Sequence, residues 1–223
     1  MSRRIEELKI EPLDYKSAMD LVVDKHYLHR KCPCSCAFSL HFNDALVGVI
    51  VFGKPASYTL CNGIAGKDES KNVIEFNRMW TEDNLPKNAG SWFVSRALKM
   101  CGFDIVVSFA DTEQGHTGYI YQATNWLYCG VSKKQRYFRV KNSSDNTGGT
   151  NYRRRERMPK HKIIELYGEA QVEEYYSSLK HRYIFFNGDK RRRKELLKKL
   201  RYPIQAYPKA PQEDFLNVYG GVD

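Results

Sequence analysis

Apolar residues in the first third of the chain switch between helical and strand-like spacing. Residues 15–28 gather Met, Leu and Val side chains as a helix does, whereas 37–42 and 46–53 are apolar runs on either side of an Asn-Asp turn. Because Asn and Asp tolerate the left-handed backbone of tight turns, the two runs are typical of a β-hairpin. The stretch 54–72 predicts an irregular loop, and 73–80 predicts a third strand.

From residue 73 onward, strand-like and helical patterns alternate. A helix with one apolar side is predicted over 91–101, and 103–111 is the nearly continuous apolar run of a strand buried on both faces. The further predictions are a helix over 119–127, a strand over 127–132, helices over 161–168 and 169–180, a strand over 181–186 and a basic helix over 190–200. This order predicts an α/β fold in which a mixed central sheet is flanked by helices.

The composition excludes several classes of protein. Hydrophobic residues make up 42% and aromatic residues 13% of the chain, which is typical of a folded protein. There is no run of 18 or more apolar residues, and the charged N-terminus lacks the apolar centre of a signal peptide. We therefore expect no membrane partner and an intracellular location. The run Cys32, Cys34, Cys36 does not match the spacing of common zinc sites, so we expect reduced, structural thiols.

Positive charge is concentrated in two segments. The net charge is +10, yet 132–160 and 178–202 each carry ten Lys or Arg against two acids, which leaves −6 on the rest of the chain. One-signed blocks on an acidic body favour a phosphate-binding surface over a generally basic protein, and duplex DNA is the expected partner. The arginines that we expect to bind DNA are Arg153, Arg154, Arg155, Arg191, Arg192 and Arg193.

The start of one predicted helix and the end of one predicted strand carry candidate binding or catalytic residues. Asn88, Ala89 and Gly90 precede a predicted helix that starts at Ser91, and the free N–H groups of a helix start bind anions, although Ser91 alone also suits an N-cap. Asp111 ends the buried strand, where ligands settle in open α/β sheets. A carboxylate there takes a proton from an amine, or else it only caps the turn that follows.

Four further positions carry polar groups in apolar surroundings. On the predicted helix 119–127, Tyr121 lies almost opposite the apolar arc, which suits an acid, a stacking platform or a plain exposed tyrosine. In the strand 73–80, alternation places Glu75 and Asn77 on one face and Arg78 on the other, so the Glu/Asn pair either bonds Arg78 or faces a polar cleft.

His26 and His29 are candidates for binding a metal, a phosphate or a base. Two histidines three residues apart also occur by coincidence, and a metal site needs further ligands.

The motifs VIEFNRMW, DNLPKNAGSWFVSRAL, VVSFADTEQGHTGYIYQATNWLYCG and KHRYIFF resemble the Mom-type DNA modification proteins of bacteriophages over roughly residues 20–187. The resemblance implies a fold similar to the GCN5-related acetyltransferases. It also implies hypermodification of adenine in phage DNA at the exocyclic amine, which shields that DNA from host restriction enzymes. The location implied is the host cytoplasm.

Site residues follow from the resemblance only where the motifs match. Arg78, Ser91, Asp111 and Tyr121 are similar to family positions implicated in catalysis or donor binding. The Ala-Gly pair before Ser91 departs from the R/Q-x-x-G-x-G/A motif of generic acetyltransferases, which argues against ordinary acetyl-CoA use. The family adds a carbamoylmethyl group rather than a simple acetyl group, so the resemblance leaves the donor open; an acyl-CoA-like molecule and another small acyl donor are both candidates. The resemblance also implies iron, for which the sequence shows no ligand set.

The sequence therefore predicts a DNA-modifying transferase. Residues 1–187 would form the catalytic domain with a basic DNA-binding insertion at 133–160, and 188–223 would form a basic helix and tail. Asp111 would position or deprotonate the amine, Tyr121 would act as acid or base platform, and Arg78 and Ser91 would hold the donor. The alternatives are an acyltransferase acting on tRNA or protein, and a non-catalytic DNA-binding accessory protein.

Overall fold

The computed structural model describes residues 4–134, 136–141 and 160–209. Within them, the strands are β1 (Leu8–Leu13), β2 (Cys36–Phe42), β3 (Ala45–Gly53), β4 (Val73–Thr81), β5 (Ile105–Asp111), β6 (Leu127–Val131), β7 (Arg136–Val140), β8 (Val172–Tyr176) and β9 (Lys180–Phe186). The helices are α1 (Tyr15–Lys25), α2 (Tyr58–Ala65), α3 (Ala89–Met100), α4 (Tyr119–Ala123), α5 (Lys160–Tyr167) and α6 (Lys190–Lys199).

One mixed sheet organises the described residues. Its strand order is β1-β2-β3-β4-β5-β9-β6, and every neighbouring pair is antiparallel except β4 and β5, which run parallel. Helix α3 packs Phe93, Val94 and Leu98 against one face of this sheet. Helices α1, α2 and α6 cover the opposite face. The predicted mixed α/β class is confirmed.

Several predicted elements are confirmed with small shifts at their ends. The hairpin forms as β2 and β3, and both turn residues, Asn43 and Asp44, have positive φ. Helix α1 ends at Lys25 rather than residue 28, and β5 starts at Ile105. The helices predicted over 161–168 and 190–200 form as α5 and α6.

Other predictions about secondary structure are wrong. The loop over 54–72 contains α2, which Ser57 caps through the backbone N–H of Leu60. The helix over 169–180 is replaced by β8, whose side chains alternate along an antiparallel pair with β7. Helix α4 ends at Ala123, and Asn125 with φ +62° turns the chain into β6. Strand β1 lies at the edge of the sheet, where its polar residues mask the strand pattern.

A small subdomain interrupts the chain between the adjacent strands β6 and β9. It consists of the two-stranded ribbon β7–β8 with α5 packed on it, and Ile163 is fully buried. The two connections to the sheet are tied together, because the backbone N–H of Ser132 bonds the carbonyl of Lys180 at 2.8 Å. Lys180 pairs with Asp111 in the sheet register, so the subdomain leaves the sheet at the carboxyl end of β5. Residues 142–159 of the predicted basic insertion, with Arg153, Arg154 and Arg155, lie outside the described residues.

No helix in the described part of the chain is long and apolar enough to cross a membrane.

Candidate active site

The sheet opens where the parallel strands β4 and β5 diverge. Their pairing consists of Val73–Ile105, Ile74–Val106 and Glu75–Val107, and stops there. Beyond this point β4 continues along β3, while β5 continues along β9 as far as Asp111. The separation leaves backbone and side chains of both strands facing a cleft, which is the place where ligands bind in open α/β sheets. We call this opening the β4–β5 cleft.

A bulge in β4 brings two charged residues onto one face of the sheet. Val51 pairs with Arg78 and Phe52 with Phe76, so Asn77 is an extra residue in β4. An extra residue resets the alternation of side chains along a strand. Arg78 therefore shares the face of Glu75, and the prediction that they lie on opposite faces is wrong.

The bulge also ties a loop to the cleft. The side-chain amide of Asn77 donates to the carbonyl of Pro33 at 2.7 Å, and the backbone N–H of Ser35 bonds Phe52 at 2.7 Å. A Cβ at Gly53 would overlap the carbonyl oxygen of Pro33, so this approach requires glycine. The triple-cysteine segment is thereby held against β3 and β4, and none of its three cysteines forms a disulfide within the described residues.

Arg78 is largely buried, and only some of the hydrogen-bond donors of its guanidinium have partners. One terminal nitrogen donates to the carbonyl of Asn77 at 2.6 Å, whereas Nε is buried with no hydrogen-bond partner among the described residues. Burial lowers the pKa of Arg78, and the nearby Cys32 counteracts this. An unsatisfied buried donor is costly, so a guanidinium of this kind suits an anionic or carbonyl ligand.

Glu75 is an unusual carboxyl group. Burial raises its pKa to about 7, although Arg78 and Lys180 both act to lower it. A carboxyl group with this pKa exists in both protonation states near neutral pH, which is the property of a general base or acid.

Tyr121 is partly buried and packs against the core, contrary to the prediction that it lies on an exposed face. Its ring packs against Phe76, Trp126 and Tyr183, with centroids 5.9, 5.0 and 5.0 Å away. The predicted helical wheel fails because α4 has only five residues, so positions after Ala123 do not follow helical geometry.

The phenol group of Tyr121 is hydrogen-bonded within the sheet opening. Its oxygen lies 2.7 Å from Oγ of Ser108, which also donates to the carbonyl of Phe76. Burial raises the pKa of Tyr121 to about 12; the Ser108 bond lowers it, and Tyr27 and Glu75 raise it further. Tyr121 therefore holds its proton at neutral pH.

Asp111 combines a structural and an electrostatic role. Its carboxylate accepts from the backbone N–H of Glu113 at 3.1 Å and forms an ion pair with Lys180 at 3.2 Å. Burial acts to raise the pKa of Asp111, but the hydrogen bond from Ser178 and the charge of Lys180 outweigh it, so the pKa lies below its ordinary value. Asp111 is therefore a stable anion at neutral pH, and the capping role is present.

Helix α3 starts two residues earlier than predicted. Asn88, with φ +67°, precedes the helix, and Ser91 lies within the first turn, where its hydroxyl donates to the carbonyl of Asn88 at 3.0 Å. Ser91 is therefore not the N-cap. The backbone N–H groups of Gly90 and Ser91 have no hydrogen bond among the described residues. A Cβ at Gly90 would contact Met79 and Ile120, so this helix start lies beside β4 and α4.

The described residues do not fit a bound iron. They contain no group of three or more His, Cys, Asp or Glu side chains that could hold a metal ion. Nδ1 of His26 accepts from the backbone N–H of Leu28, and Nδ1 of His29 bonds the carbonyl of Val23. Burial lowers the pKa of His26 to about 3, with Arg78 the next cause, which keeps the ring neutral. We derive no chemistry through a metal.

Sequence reasoning missed three residues at the cleft. Ser108 is one polar position in an apolar strand, and that contrast was a usable signal. Tyr27 and His116 come from separate segments, and their rings meet edge-on with centroids 5.7 Å apart. Only the fold brings them together.

On the far side of the protein, α6 divides its cations into two groups. Arg192 is held by Glu69, by Asp104 at 2.9 Å and by Glu195 at 3.1 Å, and Lys199 binds Glu69 at 2.6 Å. We therefore remove Arg192 from the predicted DNA-binding set.

Three further cations of α6 line an open groove of about 1170 Å³ at the end of the sheet. Lys190, Arg193 and Lys194 reach it from α6, and Lys99 reaches it from α3. These four side chains form no ion pair within the described residues. Arg191 is exposed on the same helix.

Comparisons with known proteins agree with the predicted family. The model of the Mom protein family matches residues 7–209. The chain is 29% identical over 220 residues to methylcarbamoylase mom of Escherichia phage Mu, covering 91% of this chain and 84% of that protein.

Two solved acetyltransferases are similar in structure. A Bacillus subtilis acetyltransferase in complex with CoA has a TM-score of 0.42 at 14% identity, covering 81% of this chain and 99% of that one. An N-acetyltransferase from Staphylococcus aureus Mu50 has a TM-score of 0.45 at 11% identity, covering 80% and 98%. At these values neither structure bears on the chemistry of this chain.

Proposed function

Because the chain belongs to the Mom protein family, we propose that it transfers a carbamoylmethyl-type group to the exocyclic amine of adenine in phage DNA. The family match and the methylcarbamoylase relative confirm the expected function in phage DNA modification. The product would protect phage DNA from host restriction enzymes in the host cytoplasm. The observation that carries the chemistry is the β4–β5 cleft, which gathers Glu75, Arg78, Asp111 and Tyr121.

We assign the orientation and the deprotonation of the adenine amine to the two carboxyl groups of the cleft. Asp111 remains ionised and accepts a hydrogen bond from the amine, which orients it. As the amine nitrogen bonds to the transferred carbon, the bond from that carbon to the donor's leaving group breaks, and the leaving group departs with the electron pair. Glu75, with a pKa of about 7, takes the amine proton in this step. Asp111 alone is a weaker base because its pKa is lowered.

The donor is a small acyl-type molecule held at the opposite wall of the cleft. The unpaired N–H groups of Gly90 and Ser91 stand at the positive end of α3, which stabilises a carbonyl or phosphate oxygen. Nε of Arg78 supplies one further donor. The protonated phenol of Tyr121 fixes Ser108 and the splayed strands between these groups.

We assign DNA binding to two basic parts of the chain. One is the insertion 133–160, whose chain leaves the sheet beside Asp111. The other is the groove of Lys99, Lys190, Arg193 and Lys194. Since a base inside a duplex cannot reach a cleft between strands, the adenine is extruded from the stack before it reacts.

A restriction-protection assay tests this function. Plasmid DNA from cells that express the wild-type chain should resist restriction enzymes whose sites contain adenine. Plasmid from cells that express Glu75→Gln should be cut, whereas Tyr58→Ala, an exposed position on α2, should protect like the wild type. Complete digestion of wild-type plasmid would reject DNA as the substrate.

A further inference from the structure

The segment that follows α1 is a rigid turn with an aromatic residue at its outer surface. The ring of His26 is buried, and its backbone carbonyl accepts from the N–H of His29 at 2.7 Å. His29 has φ +43°, which closes the turn. The far end of the segment is fixed by the bonds of Pro33 to Asn77 and of Ser35 to Phe52. Tyr27 therefore projects from a loop that is anchored on both sides.

Tyr27 has one covered face and one open face. Its ring stacks on His26, with centroids 4.4 Å apart and planes 29° apart. His116 meets it edge-on, 5.7 Å away and at 87°. The side chain nevertheless remains 47% exposed. A ring that is supported from below and at one edge, and open above, is shaped for stacking with another flat ring.

The position of Tyr27 places this open face at the reactive groups. The backbone N–H of His116 bonds the carbonyl of Asp111 at 3.1 Å, so the turn that carries His116 is continuous with the end of β5. Burial raises the pKa of Tyr27, Arg78 lowers it and Asp111 raises it, so both charged groups of the cleft lie near the ring.

Exposure by itself does not distinguish Tyr27. Tyr58 is 64% exposed and Tyr15 is 54% exposed, and neither has a ring partner among the described residues. What sets Tyr27 apart is the buried ring beneath it and the Asp111 turn beside it.

We propose that the open face of Tyr27 is the stacking platform for the extruded adenine, with His116 bounding its edge. The proposal rests on the proposed function and names the subsite for the base. Tyr121, which the sequence suggested for this role, is only partly exposed, because its ring packs against three aromatic side chains. Stacking on Tyr27 would hold the six-membered ring beside Asp111 and Glu75, with the exocyclic amine directed into the cleft.

Binding of single strands separates stacking from phosphate contacts. We would measure the affinity of the full chain for a dA12 oligonucleotide and for an abasic strand of the same length by fluorescence anisotropy. Tyr27→Ala should weaken dA12 binding by roughly 10- to 100-fold, the range typical of base–aromatic stacking, and leave abasic binding unchanged. Tyr27→Phe should keep the preference for dA12, because the ring and not the hydroxyl does the stacking. Tyr58→Ala is the matched control and should behave like the wild type.

Two controls keep the test decisive. Tyr27→Leu fills the same space without a π-face, so it should lose the dA12 preference even if Tyr27→Ala is less well folded. Loss in Tyr27→Phe equal to that in Tyr27→Ala, or an unchanged dA12 preference in both Tyr27→Ala and Tyr27→Leu, would overturn the proposal. Modification of plasmid DNA by the wild type is scored in parallel. If the wild type modifies the plasmid and Tyr27→Ala has an unchanged KM for DNA, the stacking platform is rejected and the proposed function stands. If the wild type leaves the plasmid unmodified, the proposed function itself is rejected.

Discussion

The hydroxyl oxygens of Tyr121 and Ser108 lie 2.7 Å apart, and Ser108 also bonds the carbonyl of Phe76 at 2.9 Å. Since Ser108 has one hydroxyl proton and a carbonyl can only accept, the proton of Ser108 goes to Phe76 and Tyr121 donates to Ser108. This chain of hydrogen bonds crosses from α4 through β5 to β4 at the point where the two strands separate. It ties α4 to both strands at this point, while burial keeps Tyr121 protonated.

Tyr121→Phe should retain the fold, because the ring contacts remain and Ser108 keeps its bond to Phe76. Loss of one hydrogen bond should lower the free energy of unfolding by about 1 kcal/mol. Tyr121→Ala, by contrast, should cost about 3–5 kcal/mol through the cavity in the aromatic cluster. Urea denaturation measures both. A cost for Tyr121→Phe as large as that for Tyr121→Ala would contradict the hydrogen-bonding account.

The placement of Tyr121 shows where sequence reasoning stops. The β2–β3 hairpin, the succession of β4, α3 and β5, and the strand-end position of Asp111 follow from local patterns, and all three appear in the structure. The burial of Tyr121 depends on a helix that ends after five residues, and the shared face of Glu75 and Arg78 depends on a bulge at Asn77. Neither a short helix nor a bulge leaves a periodic signal. The contact of Tyr27 with His116 joins distant segments, which no local pattern encodes.

Asp111→Asn should abolish modification while leaving the protein folded. Asparagine still accepts the N–H of Glu113, and the partly exposed ion pair with Lys180 is worth at most about 1 kcal/mol. An amide cannot serve as an anionic acceptor for the amine, so the rate should fall by roughly 100-fold or more. Nucleoside mass spectrometry and thermal melting measure the two effects. Modification at a near wild-type level in this variant would show that Asp111 only caps the turn and has no catalytic role.

Glu75→Gln should change how stability depends on pH. The folded pKa of Glu75 is about 7 against an ordinary 4.5, so the folded protein binds a proton that the unfolded chain releases in this window. Its contribution is therefore fully present below pH 4.5 and is lost as pH rises through 7. Glu75→Gln should not show this loss, so its free energy of unfolding should rise by up to ~3 kcal/mol relative to that of the wild type between these two pH values.

The difference between wild type and Glu75→Gln is the quantity to measure, because His26 acts in the opposite direction. Its pKa is lowered to about 3, so its contribution to stability appears as pH rises from 3 to 6.5. Both proteins share His26, and it cancels in the comparison. Parallel stability curves from pH 4.5 to 7 would show that Glu75 titrates normally. In the wild type, the rate of modification should rise with pH through about 7.

Replacement of Lys190, Arg193 and Lys194 by alanine should weaken binding to all duplexes alike. Each lost phosphate contact reduces the slope of log affinity against log salt by about 0.9, so the slope should flatten by roughly 2–3. The base that is modified should not change, because phosphate contacts position a protein and base contacts specify. A triple variant of the exposed Lys16, Lys67 and Lys71 removes the same charge elsewhere and should keep the slope. Equal slopes in the two triple variants would exclude the groove as a DNA contact.

Replacement of Arg153, Arg154 and Arg155 of the insertion by alanine should likewise flatten the slope of log affinity for duplex DNA against log salt.

Arg192→Ala should behave differently, because it leaves the buried Glu69 with fewer partners. We expect it to lower the free energy of unfolding by roughly 1–3 kcal/mol. Salt titration and urea denaturation of each variant distinguish DNA contact from structural support.

The central claim is that the β4–β5 cleft modifies adenine in DNA. The most direct measurement is mass spectrometry of nucleosides from the DNA and tRNA, and of peptides from the protein, of cells that express the wild type, Asp111→Asn or Glu75→Gln. We expect a carbamoylmethyl-type deoxyadenosine in wild-type DNA only, and none in either variant. Unmodified deoxyadenosine in the wild-type sample, or a new adduct confined to tRNA or protein, would contradict it.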